Sequence, residues 1–350
     1  MQTHDAIAKI IAHSCTQAAL SQTIREVFRF DGCEFHVIGV EQDEGMTFED
    51  LTLRMDRAVP VGICKESGIR LNPFPQYVIQ KNDRILVFAE EASDAVLTNA
   101  YFCEDLSVTA PNKAEQKRTD AVIIGQNETL PLILKELPEN VDHVYLVLCW
   151  DEDIELSALE QIAKERRFVL EKLVFPTKKE MDLRRVVSLS EHIILLSDHT
   201  KPMDQADMET IFMILHLRDL RARQHLKFNI TAEMCRESNQ NLIQGSDHTD
   251  FVVSSSMSSL FLAQIAENPE LVGVFREILS NEGSELFLKN AEELQLTGRH
   301  SVAELRCRLL QHRCVFLGYM DEQKESRFNP PLREKLDIRP GDCFIVLSEE

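Results

Sequence analysis

The sequence has no long hydrophobic run and no paired cysteines. The longest apolar run, residues 211–217, contains His216, and a transmembrane helix needs about 18 such residues. The nine cysteines are scattered singly, with no Cys-x-x-Cys pair. This scatter argues against a disulfide framework and against a cysteine-based zinc site, and it favours a reducing compartment.

Positive charge and catalytic motifs are also scarce. The 38 lysines and arginines face 58 acidic residues, so the net charge is −20. Binding to nucleic acid or to an anionic membrane surface depends on excess positive charge, so both are disfavoured. Neither a Gly-x-Ser-x-Gly elbow nor a His-Glu-x-x-His motif occurs. The sequence therefore predicts a non-enzymatic protein that does not bind nucleic acid.

What the chain does contain is an internal repeat. Residues 12–34 align with residues 263–285. The second segment places apolar residues at i, i+3, i+4, i+7 and i+8, the pattern of one helix face, and the first has the same pattern except for Thr23 at i+3. In the second copy we expect this stripe to be covered by another unit, within the chain or across a dimer. The predicted contact residues are Leu271, Val274, Phe275 and Ile278.

The repeat continues beyond the helices with the same order of signals. Each copy has a strand, a short polar helix, a strand through a glycine, an Asn-Pro turn and a buried strand after an aspartate. The paired landmarks are Gly62 and Gly318, Asn72 and Asn329, and Asp83 and Asp342. Two copies of one unit are expected to fold alike and to pack with pseudo-two-fold symmetry.

Between the copies, from Asp120, apolar strands alternate with helical segments. Such alternation predicts a parallel sheet covered on both faces. Six strands in this order indicate a doubly wound, Rossmann-type domain. The predicted fold class is thus α/β, with a doubly wound parallel Rossmann-type sheet and two small α+β lobes related by the internal repeat.

The first strand of this domain leads into Gly125-Gln126-Asn127-Glu128, where a dinucleotide-binding protein has Gly-x-Gly-x-x-Gly. Only the first glycine is present, because Asn127 and Leu130 occupy the positions of the other two. Glu128 adds negative charge where a phosphate would lie. These four residues are candidate nucleotide ligands, although the motif is incomplete.

Further candidates lie at the ends of later strands. Trp150 could stack on a ring or cap the sheet edge, and Asp151 could bind a ribose or be a solvated acid. Ser197 and Asp198 follow the fourth strand, and Glu233 lies in the fifth. Asp198 and Glu233 could hold a divalent cation through oxygen atoms, or they could cap helices or pair with arginines.

Three stretches together resemble the regulator-of-potassium-conductance (RCK) domain, and most closely its Castor/Pollux group of ion channels. The stretch DFVVSSSMSSLFLAQIAENPELVGVFREILSNEGSELFL is similar to the segment that joins the two lobes of that domain. GIRLNPFPQYVIQKNDRILVFAEE resembles the end of its C-terminal, TrkA-C-like lobe, and GQNETLPLIL is similar to the altered glycine loop of the Castor/Pollux group.

This resemblance implies a tandem RCK module. Its expected parts are a helix pair (1–32) of a truncated first unit, a TrkA-C-like lobe (33–91), a linker (92–119), a Rossmann-type lobe (120–256), a crossover helix–turn–helix (257–284) and a second TrkA-C-like lobe (285–350). Because the first copy lacks a Rossmann-type lobe, we expect the chain to be a piece of a longer protein. A natural gene start is the alternative.

The resemblance also implies a function. RCK units lie on the cytoplasmic face of a membrane, associate with copies of themselves in a ring and regulate a pore domain. The implied ligand in the cleft is an NAD-type nucleotide or Ca²⁺. Glu233 matches a calcium-binding position of some members, whereas Cys235 replaces the neighbouring acid. Two alternatives remain open at this point, an NAD-dependent oxidoreductase and a ligand-free oligomeric scaffold.

Overall fold

The computed structural model describes residues 3–39, 45–66, 68–98, 118–149, 155–177, 180–240, 242–243, 249–279 and 283–349. The chain folds into two compact units. One combines Met1–Gln22 with Glu115–Leu262, and the other combines Thr23–Ala114 with Ala263–Glu350. Within the described ranges, no helix is both long enough and apolar enough to cross a membrane.

The first copy of the repeat is a helix pair followed by a small antiparallel sheet. Its elements are α1 (Thr3–Thr16), α2 (Leu20–Val27), β1 (Glu34–Gly39), α3 (Phe48–Arg54), β2 (Ala58–Lys65), β3 (Gly68–Leu71) and β4 (Arg84–Ala89). The sheet has the order β1-β4-β2-β3. Thr47 begins α3 with a capping box, in which its hydroxyl accepts from the Asp50 amide and the Asp50 carboxylate accepts from the Thr47 amide.

The middle of the chain is the Rossmann-type lobe. Its elements are β5 (Thr119–Ile124), α4 (Leu130–Glu136), β6 (Val141–Cys149), α5 (Leu156–Arg166), β7 (Val169–Phe175), α6 (Leu183–Val187), β8 (His192–Leu195), α7 (Met203–Gln224), β9 (Asn229–Met234), α8 (Glu237–Gln240) and β10 (Thr249–Val253). The strands are parallel, in the order β10-β9-β8-β5-β6-β7. This doubly wound order confirms the predicted fold class.

The N-terminal helix pair is divided between the two compact units, which the sequence did not predict. Helix α1 lies in the first unit and packs on α4, β8, β9 and β10 of the Rossmann-type lobe. Its residues 6–12 are all buried, including Lys9. Because α1 is buried around most of its circumference, it behaves as a core helix of that lobe, and the single segment expected for residues 1–32 does not describe it.

The start of α2 is held in the first unit by a buried carboxylate. Asp250 in β10 accepts a hydrogen bond from the Ser21 backbone amide at 3.0 Å and another from the Ser21 hydroxyl. The same hydroxyl also contacts the Phe251 carbonyl at 3.0 Å. Burial raises the pKa of Asp250 to about 6, although its hydrogen bonds favour the charged form.

The raised pKa of Asp250 should make the stability of the fold depend on pH. Its folded pKa lies above its ordinary value of 3.8, so its contribution to the free energy of unfolding declines as pH rises from about 4 to about 6. For Asp250→Asn we expect this decline, roughly 2–3 kcal/mol, to be absent. Denaturant unfolding at pH 4 and pH 7 measures this change in the free energy of unfolding, and Asp204→Asn, at an exposed position, is the control. Parallel curves for wild type and Asp250→Asn would contradict the assignment.

The second copy follows with the same architecture. Its elements are α9 (Ser254–Glu267), α10 (Val272–Ile278), β11 (Glu285–Asn290), β12 (Gly298–Ser301), α11 (Val302–Gln311), β13 (Cys314–Met320), β14 (Ser326–Phe328), β15 (Lys335–Ile338) and β16 (Cys343–Ser348). The sheet order β11-β16-β13-β14 repeats that of the first copy, and β12 pairs with β15. Helix α9 begins three residues before the predicted crossover at 257.

Local details repeat as well. A bulge precedes Gly62 in one sheet and Gly318 in the other. Asn72 and Asn329 both have left-handed backbone conformations, with φ of 42° and 43°. Because both topology and irregularities coincide, the repeat found in the sequence is a repeat in structure.

The apolar stripe of α10 is buried inside the second compact unit. Leu271, Val274, Phe275 and Ile278 are between 0% and 2% exposed. The Phe275 ring lies 4.8 Å from that of Phe28 and 6.4 Å from that of Phe35, both in the first copy. Within this chain the first copy therefore covers the stripe, one of the two coverings that the sequence left open.

Candidate functional site

The candidate site lies where β5 and β8, neighbours in the sheet, end beside each other. Strand order reverses at this pair, and in doubly wound sheets such a switch point forms a cleft at the carboxyl ends of the strands. Gly125 makes the turn after β5 with φ of 88°. A Cβ there would lie 3.2 Å from the Leu196 carbonyl, so this first glycine serves the turn and the close approach to β8.

Asn127 spans the cleft with its side chain. Its Nδ2 donates to the Ser197 carbonyl at 2.9 Å and to Glu233 Oε2 at 2.7 Å. Its Oδ1 accepts from the Thr129 amide at 3.0 Å. The residue that replaces the second glycine of a dinucleotide loop thus joins the ends of three strands, β5, β8 and β9.

Glu233 is the buried centre of the network, with 1% exposure. Besides Asn127, it accepts from the Ser197 amide at 3.2 Å and from the Ser254 hydroxyl at 3.2 Å. Its Oε1 also lies 3.4 Å from His199 Nε2. A buried carboxylate needs several such partners, and Glu233 has donors from two strand-end loops and from the first residue of α9.

His199 links this buried carboxylate to the exposed carboxylate of Glu128. Its Nδ1 lies 2.7 Å from Glu128 Oε1, while its Nε2 faces Glu233. The interaction with Glu233, reinforced by Glu128, raises the pKa of His199 to about 9 despite partial burial. At neutral pH the imidazole is therefore a cation between two carboxylates.

Asp198 has a different set of partners. It accepts from the Thr200 amide at 3.1 Å and the Thr200 hydroxyl at 2.6 Å, and it lies 3.1 Å from Lys201 Nζ. Lys201 also binds Glu209. Asp198 and Glu233, the two predicted metal ligands, thus have separate partners. Among the residues that the structure describes, no group of three or more His, Cys, Asp or Glu side chains is placed to hold a metal.

Ser197 lies at the cleft through its backbone, and its hydroxyl is 3.4 Å from the Cys235 thiol. Burial, as the main cause, raises the pKa of that thiol, so it stays protonated at neutral pH. Trp150 and Asp151, the other two candidates, lie outside the described residues. Gln126 follows Gly125 in the loop.

Sequence reasoning missed two residues of this region. His199 directly follows two predicted residues, but a lone histidine gives no pattern. Asp207, fully buried in α7, accepts from the amides of Cys235 and Arg236 at 2.7 and 3.0 Å and thereby fixes the turn after β9. An acid within the buried stripe of a helix was the available signal for it.

The charges around the cleft favour cations over phosphates. Glu128, Asp198 and Glu233 contribute three carboxylates, against the imidazolium of His199 and the ammonium of Lys201. A pyrophosphate would meet Glu128 and the Asn127 side chain where an intact dinucleotide loop presents glycine backbone.

Comparisons with known proteins relate the chain to one group. Residues 4–102 match the family described as "Castor and Pollux, part of voltage-gated ion channel". The ion channel CASTOR of Lotus japonicus is 24% identical over 404 aligned residues, which cover 99% of this chain and 46% of that protein. The probable ion channel CASTOR of Oryza sativa subsp. japonica is 25% identical, with 99% and 44% covered.

Among solved structures, the human SLO3 gating ring aligns with a TM-score of 0.65 and 15% identity, over 99% of this chain and 75% of that one. At this identity the likeness shows the fold alone, which supports an RCK-type fold with Rossmann-type and TrkA-C-like lobes. The chain spans less than half the length of the curated relatives that it matches.

Proposed function

Because this chain is similar over 99% of its length to the Castor and Pollux ion channels and has a gating-ring fold, we propose that it is a ligand-sensing, non-catalytic regulatory region of a cation channel. It acts on the cytosolic side of the membrane and controls a pore domain of the same or a partner chain. The relatives are channels, and the cleft offers a binding network without an activated nucleophile among its described residues.

The observation that carries this function is the placement of Glu233. Its carboxylate accepts from Asn127 and Ser197 in the cleft loops and from Ser254, the first residue of α9. Helix α9 leads out of the Rossmann-type lobe toward the second TrkA-C-like lobe. A ligand that changes the partners of Glu233 therefore changes the anchor of the connecting helix.

The ligand class that best fits the cleft is a cation. A divalent ion such as Ca²⁺ would compete with His199 for the carboxylates of Glu128 and Glu233. Such a ligand shifts a two-state equilibrium by the difference in its affinity for the two states. A conformation in which His199 has left Glu233 would bind the cation more tightly, and the cation would make that conformation more populated.

Assembly with further copies is part of the proposal. Met208, Phe212 and Leu215 form one stripe of α7 at i, i+4 and i+7, and they are 45%, 56% and 44% exposed. Contiguous apolar surface of this kind marks contact sites on soluble domains. We infer that this stripe contacts another copy of the chain in a ring-like oligomer.

A thermal-shift titration of the full chain tests the ligand. We expect CaCl₂ to raise Tm, because a ligand at 100 times its Kd stabilises the folded state by about 2.7 kcal/mol. Glu233→Gln should abolish this increase. Glu160→Gln, which neutralises an exposed acid on α5, is the matched control and should respond like the wild type.

The other outcomes separate the alternatives. Stabilisation by NAD⁺ with hydride transfer to any substrate would indicate an oxidoreductase. Stabilisation by a nucleotide without turnover would support the sensing role, with the nucleotide as the ligand in place of Ca²⁺. If Ca²⁺, Mg²⁺, K⁺ and nucleotides all leave Tm unchanged, the scaffold function is favoured and the proposal is overturned.

A further inference from the structure

The two TrkA-C-like lobes bind each other through a matched pair of contacts. Asn72 Nδ2 in the first lobe donates to the Arg313 carbonyl in the second at 2.6 Å. Asn329 Nδ2 in the second lobe donates to the Arg57 carbonyl in the first, also at 2.6 Å. Asn72 corresponds to Asn329 in the repeat, and Arg57 to Arg313. The contact is therefore isologous, and by itself it would serve two identical lobes equally well.

The symmetry breaks where α3 and α11 pack together. The fifth residue of α3 is Thr52, and the fifth residue of α11 is Arg306. Arg306 is 1% exposed. Its Nη1 donates to the carbonyls of Met55 at 3.0 Å and Ala58 at 3.1 Å in the first lobe.

The two lobes differ in the first of these acceptors. Helix α3 ends at Arg54, so the Met55 carbonyl lies at its C-terminus and faces the guanidinium, a favourable place for a cation. The Ala58 carbonyl belongs to the first residue of β2. Helix α11 continues to Gln311. The carbonyl of Leu309, which corresponds to that of Met55, already accepts from the His312 amide at 2.9 Å.

We propose that Arg306 determines which lobes pair, so that a second lobe binds a first lobe and not the second lobe of another copy. Arg306 contacts Thr52, its own counterpart, so pairing of two second lobes would bring two buried guanidinium groups together. They would face a Leu309 carbonyl that already has a partner. Pairing of two first lobes would leave the carbonyls of Met55 and Ala58 without the cation. Repulsion and unmet hydrogen bonds thus act against both like pairings.

This selection matters because the chain is duplicated. Where one lobe repeats the fold of the other, an isologous surface permits pairing of lobes from different chains, and such pairing would link copies in the wrong order. The α7 stripe could still join copies through the other compact unit. The asymmetric pair of Thr52 and Arg306 restricts the lobe contact to unlike lobes, which leaves contacts between copies to other surfaces such as the α7 stripe.

Crosslinking of co-expressed full-length chains tests the proposal. One chain carries Arg313→Cys and the other Pro331→Cys. Pro331 corresponds to Phe74, whose ring lies 4.3 Å from the Arg313 guanidinium in the native pairing. A crosslink between the two chains with a short bis-maleimide, which adds one cysteine thiol at each end, therefore reports pairing of two second lobes when it exceeds the background of chains that carry only the nine native cysteines. A single chain with Phe74→Cys and Arg313→Cys reports the native pairing.

With Arg306 present we expect the native crosslink and little product between chains. In Arg306→Thr, which copies the first-lobe residue, the product between chains should rise at least about tenfold and the native crosslink should fall. Arg306→Met, which keeps the side-chain length, should act in the same direction. Arg308→Thr removes a half-buried arginine from the same helix, whose partner is Glu304 at 3.0 Å, and should change neither product.

Two outcomes overturn the proposal. If the product between chains is equal in all variants while the native crosslink persists, Arg306 does not select the partner. If Arg306→Thr and Arg306→Met lose both crosslinks, Arg306 supports pairing of any kind and does not choose between partners.

Discussion

Replacing Phe275 by alanine is expected to lower the free energy of unfolding of the second compact unit by about 4 kcal/mol. The side chain is 1% exposed and contacts the rings of Phe28 and Phe35. Its removal leaves a cavity at the joint between the two copies of the repeat, where α10 meets the first lobe. Hydrogen exchange of β11 and β16 measures the loss within the unit concerned, because a chain with two compact units need not unfold in one step.

The control for this experiment is Phe30→Ala. Phe30 is 42% exposed, so its removal should change the free energy of unfolding by no more than about 0.5 kcal/mol. Equal effects of the two substitutions would show that the buried position of Phe275 against the first copy does not stabilise the unit.

The duplicated architecture could be predicted from sequence because its signals are local and occur twice. The stripe of α10, the Asn-Pro turns at 72 and 329 and the aspartates at 83 and 342 each specify one feature of the backbone. Asp83 and Asp342 show this directly, because each carboxylate accepts a backbone amide three residues earlier, at 2.9 and 2.8 Å. The order of these signals then predicted the order of the main elements along both lobes.

The division of the helix pair was not predictable in the same way. The alignment of residues 12–34 with 263–285 matches α1 with α9 and so predicts that both are crossover helices. Its burial against β8, β9 and β10 depends on strands that begin only at His192. Periodicity reports that a face is apolar, and it does not report which partner covers that face.

The cleft was predicted in position and only partly in composition. Gly125, Asn127, Ser197 and Glu233 do meet at the switch point, because strand ends are fixed by the fold class. The bridge from His199 to Glu128 and Glu233 depends on side-chain directions in two loops. Arg306 was missed for a related reason, since an arginine in a short helix normally indicates a solvated face.

Substitution of Gly318 by alanine is expected to destabilise the second lobe by about 3 kcal/mol. A Cβ at this position would lie 2.2 Å from the Arg327 carbonyl and 2.9 Å from Phe328 Cα, both backbone atoms of the adjoining strand β14. Strands β13 and β14 must therefore move apart, and the close approach produced by the β-bulge before Gly318 would be lost.

Substitutions of two other glycines serve as comparisons for this result. Gly62 is the equivalent residue of the first lobe, and its Cβ would lie 2.8 Å from the Arg70 carbonyl, so Gly62→Ala should cost about 1–2 kcal/mol. Gly32 has no neighbouring heavy atom within 4 Å of its added Cβ, so Gly32→Ala should be within about 0.5 kcal/mol of the wild type. Denaturant unfolding followed by hydrogen exchange of each sheet measures all three. If close strand approach explains the glycine after each bulge, the loss in free energy of unfolding must decrease in the order Gly318, Gly62, Gly32. Three equal losses would refute that explanation.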